Sequence, residues 1–452
     1  MTQLPEAFLK KMQNILGDEY NTYLESFEKP AFRGLRVNTL RCLSWEFKAI
    51  SPCKLEQTPF SFNGFYIDNI LTGRHPFHHA GVFYLQEPSA MSAVTAAGIS
   101  KGMRVLDLCA APGGKTTQAA AELKGEGLLI CNEIVPSRAR ILLSNIERCG
   151  VTNAAIANEK PEVICEQLRG FFDVVLVDAP CSGEGMFRRE PKAAAQWNDL
   201  TNTACAKRQL VILNTAKIAL KENGVLVYST CTFSPEENEG VVDAFLKQNV
   251  DFEIEDISAK FGRCAEPLWA NASTELKKAR RIFPQDGGEG HFVARLRKHA
   301  FEPCKVLNWN NSINISDSNI FEDFFNSQFE GNINGELHEA SGNVYILPQG
   351  LPEFRGINML RAGVFAGRIK QGRFEPEHAL YMAAQAAKPR NVCLLPLEGS
   401  ELSAWLHGEA IEAPSILEKG YASVQVQGFP VGFGKVADGI LKNHYPKGLR
   451  NL

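Results

Sequence analysis

Two cysteines sit in short turns whose composition suits covalent chemistry better than packing. Asp178-Ala179-Pro180-Cys181-Ser182-Gly183 and Ser229-Thr230-Cys231-Thr232-Phe233-Ser234 each follow an apolar run of strand character. Each turn surrounds its cysteine with small or hydroxylated residues, and the first also carries the carboxyl group of Asp178. A thiolate is a strong nucleophile, and a covalent adduct splits one hard step into two easier ones. The twelve cysteines run from Cys42 to Cys393 without a C-x-x-C pair, so no zinc or other metal site is expected. Most of the twelve should be small buried hydrophobes. Cys181 and Cys231 stand apart by their neighbours.

The elements that must hold these turns follow from the apolar pattern. Residues 105–108, 127–131, 173–177 and 224–228 read as strands, with helical patterns over 119–123, 136–148 and 203–221 between them. That alternation predicts an α/β fold with a mostly parallel sheet. Such sheets place ligands at the carboxyl ends of their strands. The first strand runs into Cys109-Ala110-Ala111-Pro112-Gly113-Gly114-Lys115-Thr116, small residues that let a ligand approach the backbone at a helix N-terminus. A triphosphate loop needs G-x-x-x-x-G-K-[ST], and Cys109 stands where its first glycine belongs; no G-x-G-x-x-G is present either. Glu133, at the end of the next strand, is placed to accept hydrogen bonds from two ribose hydroxyls. A Gly-rich turn with a ribose acid and no triphosphate signal suits an adenosyl cofactor.

Thiols beside a methyl donor have a specific use. Carbon 5 of cytosine is a poor nucleophile, and addition of a thiolate to carbon 6 makes the ring enamine-like and sends electron density to carbon 5. The scheme needs a thiolate over the ring, an acid at ring nitrogen 3, a base for the carbon 5 proton, and departure of the thiol. Asp178 is the candidate for the cytosine edge, where it would carry a proton in the adduct. Burial would favour that by raising its pKa. Chemistry alone does not order the two cysteines, since either is able to attack.

With these residues in view, the chain resembles the bacterial 16S rRNA cytosine-5 methyltransferases of the Sun-type family over nearly its whole length. The likeness includes Arg36-Val37-Asn38-Thr39-Leu40, Tyr84-Leu85-Gln86-Glu87-Pro88-Ser89-Ala90-Met91, the 109–115 loop and both cysteine turns. Arg281-Ile282-Phe283-Pro284 with Gly288-Glu289-Gly290-His291-Phe292 closes the domain. The resemblance implies a Rossmann-like class I S-adenosylmethionine-dependent methyltransferase domain, a small N-terminal α+β domain and a C-terminal PUA-like RNA-binding region. It implies that Cys231 attacks the base and that Cys181 assists later, in proton removal and product release. Cys109, Ala110, Ala111, Pro112, Gly113, Gly114, Lys115, Glu133 and Asp178 are then expected to line S-adenosyl-L-methionine. Lys115 is expected in the active-site pocket, and Asp178 is also expected to face the base. Family members carry an Asp where this chain reads Ala157-Asn158-Glu159-Lys160-Pro161, so Asn158 or Glu159 is expected to take over its adenine contact. The tail, with Leu360-Arg361-Ala362-Gly363 and Gly432-Phe433-Gly434-Lys435, resembles the rRNA branch. The alternatives are the same chemistry on tRNA, or a non-catalytic rRNA-binding assembly factor; the latter would have degraded motifs, and here they are intact.

At 452 residues the chain exceeds one compact core. The expected units are 1–75, 76–300, 301–385 and 386–452. A formal net charge of −3 excludes a globally basic nucleic-acid binder but not a local basic face. Segment 355–390 is the candidate face, with Arg355, Arg361, Arg368, Lys370, Arg373, Lys388 and Arg390 against Glu375 and Glu377. No run approaches the roughly 18 apolar residues of a membrane span, and the N-terminal residues have no signal-peptide run. A cytoplasmic monomer with no membrane partner is therefore expected, acting on 16S rRNA free or within the 30S subunit.

Overall fold

The computed structural model describes residues 4–309, 318–383 and 387–451. Most of the Asn- and Ser-rich stretch at 308–319 therefore lies outside the described residues.

A central sheet forms the frame of the molecule. Its parallel part runs Leu220–Thr230, Phe172–Asp178, Arg104–Asp107, Leu128–Asn132, Ala154–Ala157 in spatial order. The four strands expected from the apolar runs are all present, and the order reverses at Arg104–Asp107, where an α/β sheet opens its ligand crevice. His291–Lys298 then joins Leu220–Thr230 antiparallel, with Arg280–Ile282 and Phe252–Glu255 sharing its outer edge. Helices Gly114–Leu123, Pro136–Arg148 and Asp199–Ala219 connect the strands. Two apolar clusters cover the two faces. Leu106, Ile130, Val175 and Leu226 point into one, and Val105, Leu129, Val174 and Val227 into the other. Each such fully buried side chain contributes about 1.5–3 kcal/mol relative to exposure.

The sheet does not end with the central region. Met359–Ala362 returns from beyond residue 300 and pairs antiparallel with Ala154–Ala157. The latter strand is almost all alanine, so its sequence carries little strand signal.

The N-terminal segment contributes helices Glu6–Leu16 and Tyr20–Glu25 and an antiparallel sheet built on Gly34–Val37. Phe8, Met12 and Tyr23 from the helices pack with Phe187, Trp197 and Phe233, which flank the two cysteine turns. Beyond the central sheet lie a four-stranded sheet over 336–376 and a five-stranded sheet over 392–443. The five-stranded sheet shares one core with the N-terminal sheet, where Leu35, Val37 and Phe83 meet Trp405, Val424 and Leu441. The two ends of the chain thus close on one another.

Candidate active site

The ends of two adjacent parallel strands bring the chemistry together. Asp178 and Ser229 are register partners, and the turns that follow them place the sulfurs of Cys181 and Cys231 3.4 Å apart, both half-buried. Lys115, from the first turn of Gly114–Leu123, sets its Nζ 2.8 Å from Asp178 Oδ2. The Ser229 hydroxyl donates to Asp178 Oδ1 at 2.8 Å. The sequence-predicted cysteines, carboxylate and lysine therefore share one pocket.

The electrostatics correct one expectation. Burial does act to raise the Asp178 carboxyl, but the charge and hydrogen bond of Lys115 and the Ser229 hydroxyl outweigh it and hold the group below the usual carboxylate range. Asp178 is therefore a carboxylate in the free chain, not the raised acid that burial alone would give. His291 is 3% exposed with neither ring nitrogen hydrogen-bonded, and burial pushes it down to about 3, so it is neutral. Contact with the Cys231 sulfur, together with burial, pushes the Cys181 thiol well above its ordinary range. Two sulfurs in contact cannot both be thiolates.

Buried carboxylates that the sequence did not single out clamp the two turns. Glu237 accepts from Ser182 N at 3.0 Å and from the Ser182 hydroxyl, and also from Asn202 Nδ2 and Gln209 Nε2, both at 2.8 Å. Ser182 Oγ also lies 2.7 Å from Thr232 Oγ1, so one turn is tied to the other. Glu184 accepts from Trp197 Nε1, Asn202 Nδ2 and Phe233 N, and pairs with Lys11 of the N-terminal helix. Arg281 pairs with Glu239 and donates to the Phe233 carbonyl at 2.8 Å, two residues past Cys231. Glu237, Asn238 and Glu239, an acidic stretch at the start of helix Glu239–Gln248, are all fully buried. Only the alternation of these acids with buried donors in three dimensions reveals them.

The 109–115 loop forms a cradle at the strand end. Gly113 adopts φ 114°, a conformation that favours glycine, and the helix starts directly after it. Thr116 Oγ1 donates to Asp107 Oδ2 at 2.6 Å, while Asp107 Oδ1 has no partner and burial pushes this carboxyl up to about 7. Arg138 Nη2 donates to Ala111 O at 2.7 Å, Asn145 to Pro112 O at 2.9 Å, and Ala110 N to Asn132 O at 2.9 Å. Burial raises the Cys109 thiol, so this cysteine is a neutral wall of the cradle. Arg36 reaches across from the N-terminal sheet to Gly114 O at 2.9 Å and Thr117 Oγ1 at 2.6 Å. Glu133 accepts from Val135 N at 2.9 Å and lies 3.3 Å from Arg138, beside Ile134, which is 56% exposed. A carboxylate with acceptor capacity left, an apolar shelf next to it and an orphaned buried oxygen at the strand end fit an adenosyl ligand. Asn158 lies beside Glu133, but its side-chain amide donates to the Glu133 and Ile134 carbonyls at 2.6 and 3.0 Å. It holds the Glu133–Ile134 turn in place.

The basic face expected over 355–390 is largely neutralised. Arg355 pairs with Glu353, Arg361 with Glu147, Arg368 with Glu377, Lys370 with Glu375 and Arg390 with Glu330. Three of these five carboxylates lie outside the segment, which a count within it could not include. Arg373 and Lys388 have no ion pair among the described residues.

Known proteins share the sequence and the fold. Residues 96–297 match the family model of the 16S rRNA methyltransferase RsmB/F, and residues 4–88 that of the N-terminal domain of 16S rRNA methyltransferase RsmF. Residues 323–383 match the RsmF first C-terminal domain and residues 394–451 its PUA domain. Ribosomal RNA small subunit methyltransferase F of Vibrio parahaemolyticus is 34% identical, covering 99% of this chain and 97% of the relative. The Escherichia coli protein of the same name is 31% identical over 98% and 96%. Among solved structures, a methyltransferase homolog protein from Pyrococcus horikoshii superposes with TM-score 0.58 at 31% identity, covering 65% of this chain and 95% of its own. NSun6 from Pyrococcus horikoshii, at 21% identity and TM-score 0.57 over 66% and 98%, shares the fold. With its cysteine turns, cofactor cradle and both flanking regions matched along almost its entire length, the chain belongs to the ribosomal RNA small subunit methyltransferase F family.

Proposed function

We propose that this protein methylates carbon 5 of a cytosine in 16S rRNA through a covalent bond between Cys231 and carbon 6 of the base. The observation that carries this reading is the pair of sulfurs 3.4 Å apart, beside the Lys115–Asp178 pair at 2.8 Å, at the mouth of the cofactor cradle. In this reading residues 76–300 do the chemistry, 1–75 and 386–452 hold the RNA, and 301–385 form a small α+β domain between them. No helix among the described residues is long and apolar enough to cross a membrane. NSun6 from Pyrococcus horikoshii was solved with SFG, an analogue of S-adenosylmethionine. Here Glu133, Asp178 and the 109–115 loop would hold S-adenosyl-L-methionine, which supplies the electrophilic methyl carbon that an electron-rich carbon 5 takes.

The remaining steps belong to side chains of this chain. The Cys231 thiolate adds to carbon 6, and the electron pair moves through carbon 5 towards ring nitrogen 3. Lys115, ion-paired with Asp178, is the cation that would offset that developing charge. Cys181 is held as a thiol by its contact with the Cys231 sulfur and by burial. Once Cys231 is bonded to carbon, its negative charge is gone and that hold on Cys181 is released. The Cys181 thiol then gives its proton to solvent, and the resulting thiolate takes the carbon 5 proton after methylation. The carbon 6–sulfur bond breaks as the proton leaves, returning Cys231 as thiolate and the ring to aromaticity.

Replacing Cys231 with alanine should abolish methylation of 16S rRNA. Replacing Cys181 should trap a protein–RNA adduct visible on a denaturing gel. An adduct that accumulates only in the Cys231 variant would exchange the two roles.

A further inference from the structure

A cavity of about 370 Å³ lies where three parts of the chain meet, away from the cysteines. Arg41 reaches it from the N-terminal region, Tyr381 and Lys388 from the two sides of residues 384–386, and Gln425 and Phe429 from the five-stranded sheet. Arg41 is the unusual member. It is 8% exposed, yet its Nε and Nη1 have no hydrogen-bond partner, and its Nη2 makes only a 3.4 Å contact with the Arg148 carbonyl.

The charge around Arg41 is uncompensated as well. The groups acting on it are Cys149 and a second buried cation, Arg148, with no carboxylate, and burial pulls its pKa down to about 10. Arg148 itself is spent on the carbonyls of His78 and Phe83 and on the Asn145 side chain. A buried charge without a partner is costly, and proteins keep one where a counter-charge arrives from outside. Two further donors face the same space without partners. The Tyr381 hydroxyl is buried and unbonded, its ring fixed by stacking on Phe433 at 4.5 Å. Lys388 is one of the two cations of the 355–390 segment left without an ion pair among the described residues.

We propose that this cavity is a phosphate-binding site, in which Arg41, Lys388 and the Tyr381 hydroxyl take one phosphodiester of the substrate RNA or the chemically equivalent free phosphate ion. A planar guanidinium with two buried, unpaired donors suits paired phosphate oxygens once the side chain turns towards the cavity. The volume leaves room for an attached sugar against the Phe429 ring. The RNA arm rests on the proposed function, whereas the anion chemistry does not. The site would fix the RNA at the junction of the N- and C-terminal regions, so that one backbone contact sets register for the distant cysteine pocket.

The full-length chain is tested by thermal unfolding in inorganic phosphate against chloride of matched ionic strength, and by RNA binding as a function of salt. Phosphate at about a hundred times Kd should raise the wild-type Tm by roughly 5–10 °C. It should leave the Lys388→Ala and Arg41→Met variants unmoved. Each variant should also lower the salt slope of 16S rRNA binding by about one. In chloride alone Arg41→Met should be at least as stable as wild type, because an unpaired buried charge is gone; a merely structural arginine would give a loss. If Arg41→Met does not fold, Lys388→Ala still decides both readouts. Phosphate protection without a change in salt slope assigns the site to the free ion. A Lys388→Ala chain that keeps both the phosphate protection and the wild-type salt slope overturns the site. A wild type that shows both effects but methylates no cytosine sinks the catalytic reading and leaves this one standing.

Discussion

Replacing Arg281 with methionine tests whether the Cys231 turn is held by a single buried ion pair. Arg281 and Glu239 are 2% and 0% exposed at their side chains, with Nε donating to Oε1 at 2.7 Å and Nη2 to the second oxygen. The guanidinium lies 5.0 Å from the Trp269 ring and 5.7 Å from Phe292, so water cannot take the place of the arginine. Removing one partner of such a pair leaves an unpaired buried charge and costs about 3–5 kcal/mol. For a cooperative unit of 150–250 residues each kcal/mol is worth about 2–4 °C, so the Tm should fall by roughly 6–20 °C. The double variant Arg281→Met/Glu239→Met removes both charges and should recover most of that loss. Urea unfolding of wild type, both single variants and the double variant measures the coupling directly. A single-variant cost below about 1 kcal/mol, or a double variant no more stable than the worse single one, would refute the reasoning. Methyl transfer should stay impaired in the rescued double variant, because the Phe233 carbonyl has lost its donor.

Other perturbations read different parts of the site. The Asp107 carboxyl is pushed up to about 7 from an ordinary 3.8, so its stabilising contribution is complete below about pH 4 and lost as pH rises through 7. That amounts to on the order of 4 kcal/mol, and Asp107→Asn should flatten this part of the pH–stability curve of the cofactor-free chain; an unchanged curve counts against it. Lys115→Met removes the cation that holds Asp178 low, so burial should prevail and the acid limb of the kcat/KM profile should move to higher pH. An unmoved limb would show that Asp178 does not titrate through Lys115. Gly185→Ala would place a Cβ 2.8 Å from the Gly290 carbonyl and 3.0 Å from that of Cys231. Both neighbours are backbone, so the cysteine turn must shift, and trapping of the RNA adduct should drop at least tenfold; normal trapping would refute this packing argument.

The parts of the fold that were legible in the sequence are those whose signal is local. Apolar runs mark the strands around Leu106, Ile130, Val175 and Val227, and the small residues from Cys109 to Gly114 mark the loop that needs them. The strand at Ala154–Ala157 was legible only through the family resemblance, because its strand character comes from neighbours on both sides, one of them some two hundred residues downstream. The pocket residues Cys181, Cys231, Asp178 and Lys115 were readable as types, but their relative order was not, because chemistry alone permits either thiol to attack. Glu184, Glu237 and Glu239 were invisible for a physical reason. An acid buried by distant donors such as Asn202, Gln209 and Arg281 looks, in one dimension, like an acid in water. The surplus charge over 355–390 failed in the opposite direction, since Glu147, Glu330 and Glu353 neutralise it from outside the counted window.

The strand Met359–Ala362 also bears on the order in which the protein is made. The last of the central region's own strands ends at Lys298, but the edge at Ala154–Ala157 stays uncovered until about sixty more residues have been synthesised. At ~5–20 residues per second that is a delay of seconds during which a short, alanine-lined edge with open backbone groups faces solvent. The nascent catalytic sheet would then be most prone to wrong pairing during that interval. Fragments that stop near residue 300 would make the exposure permanent.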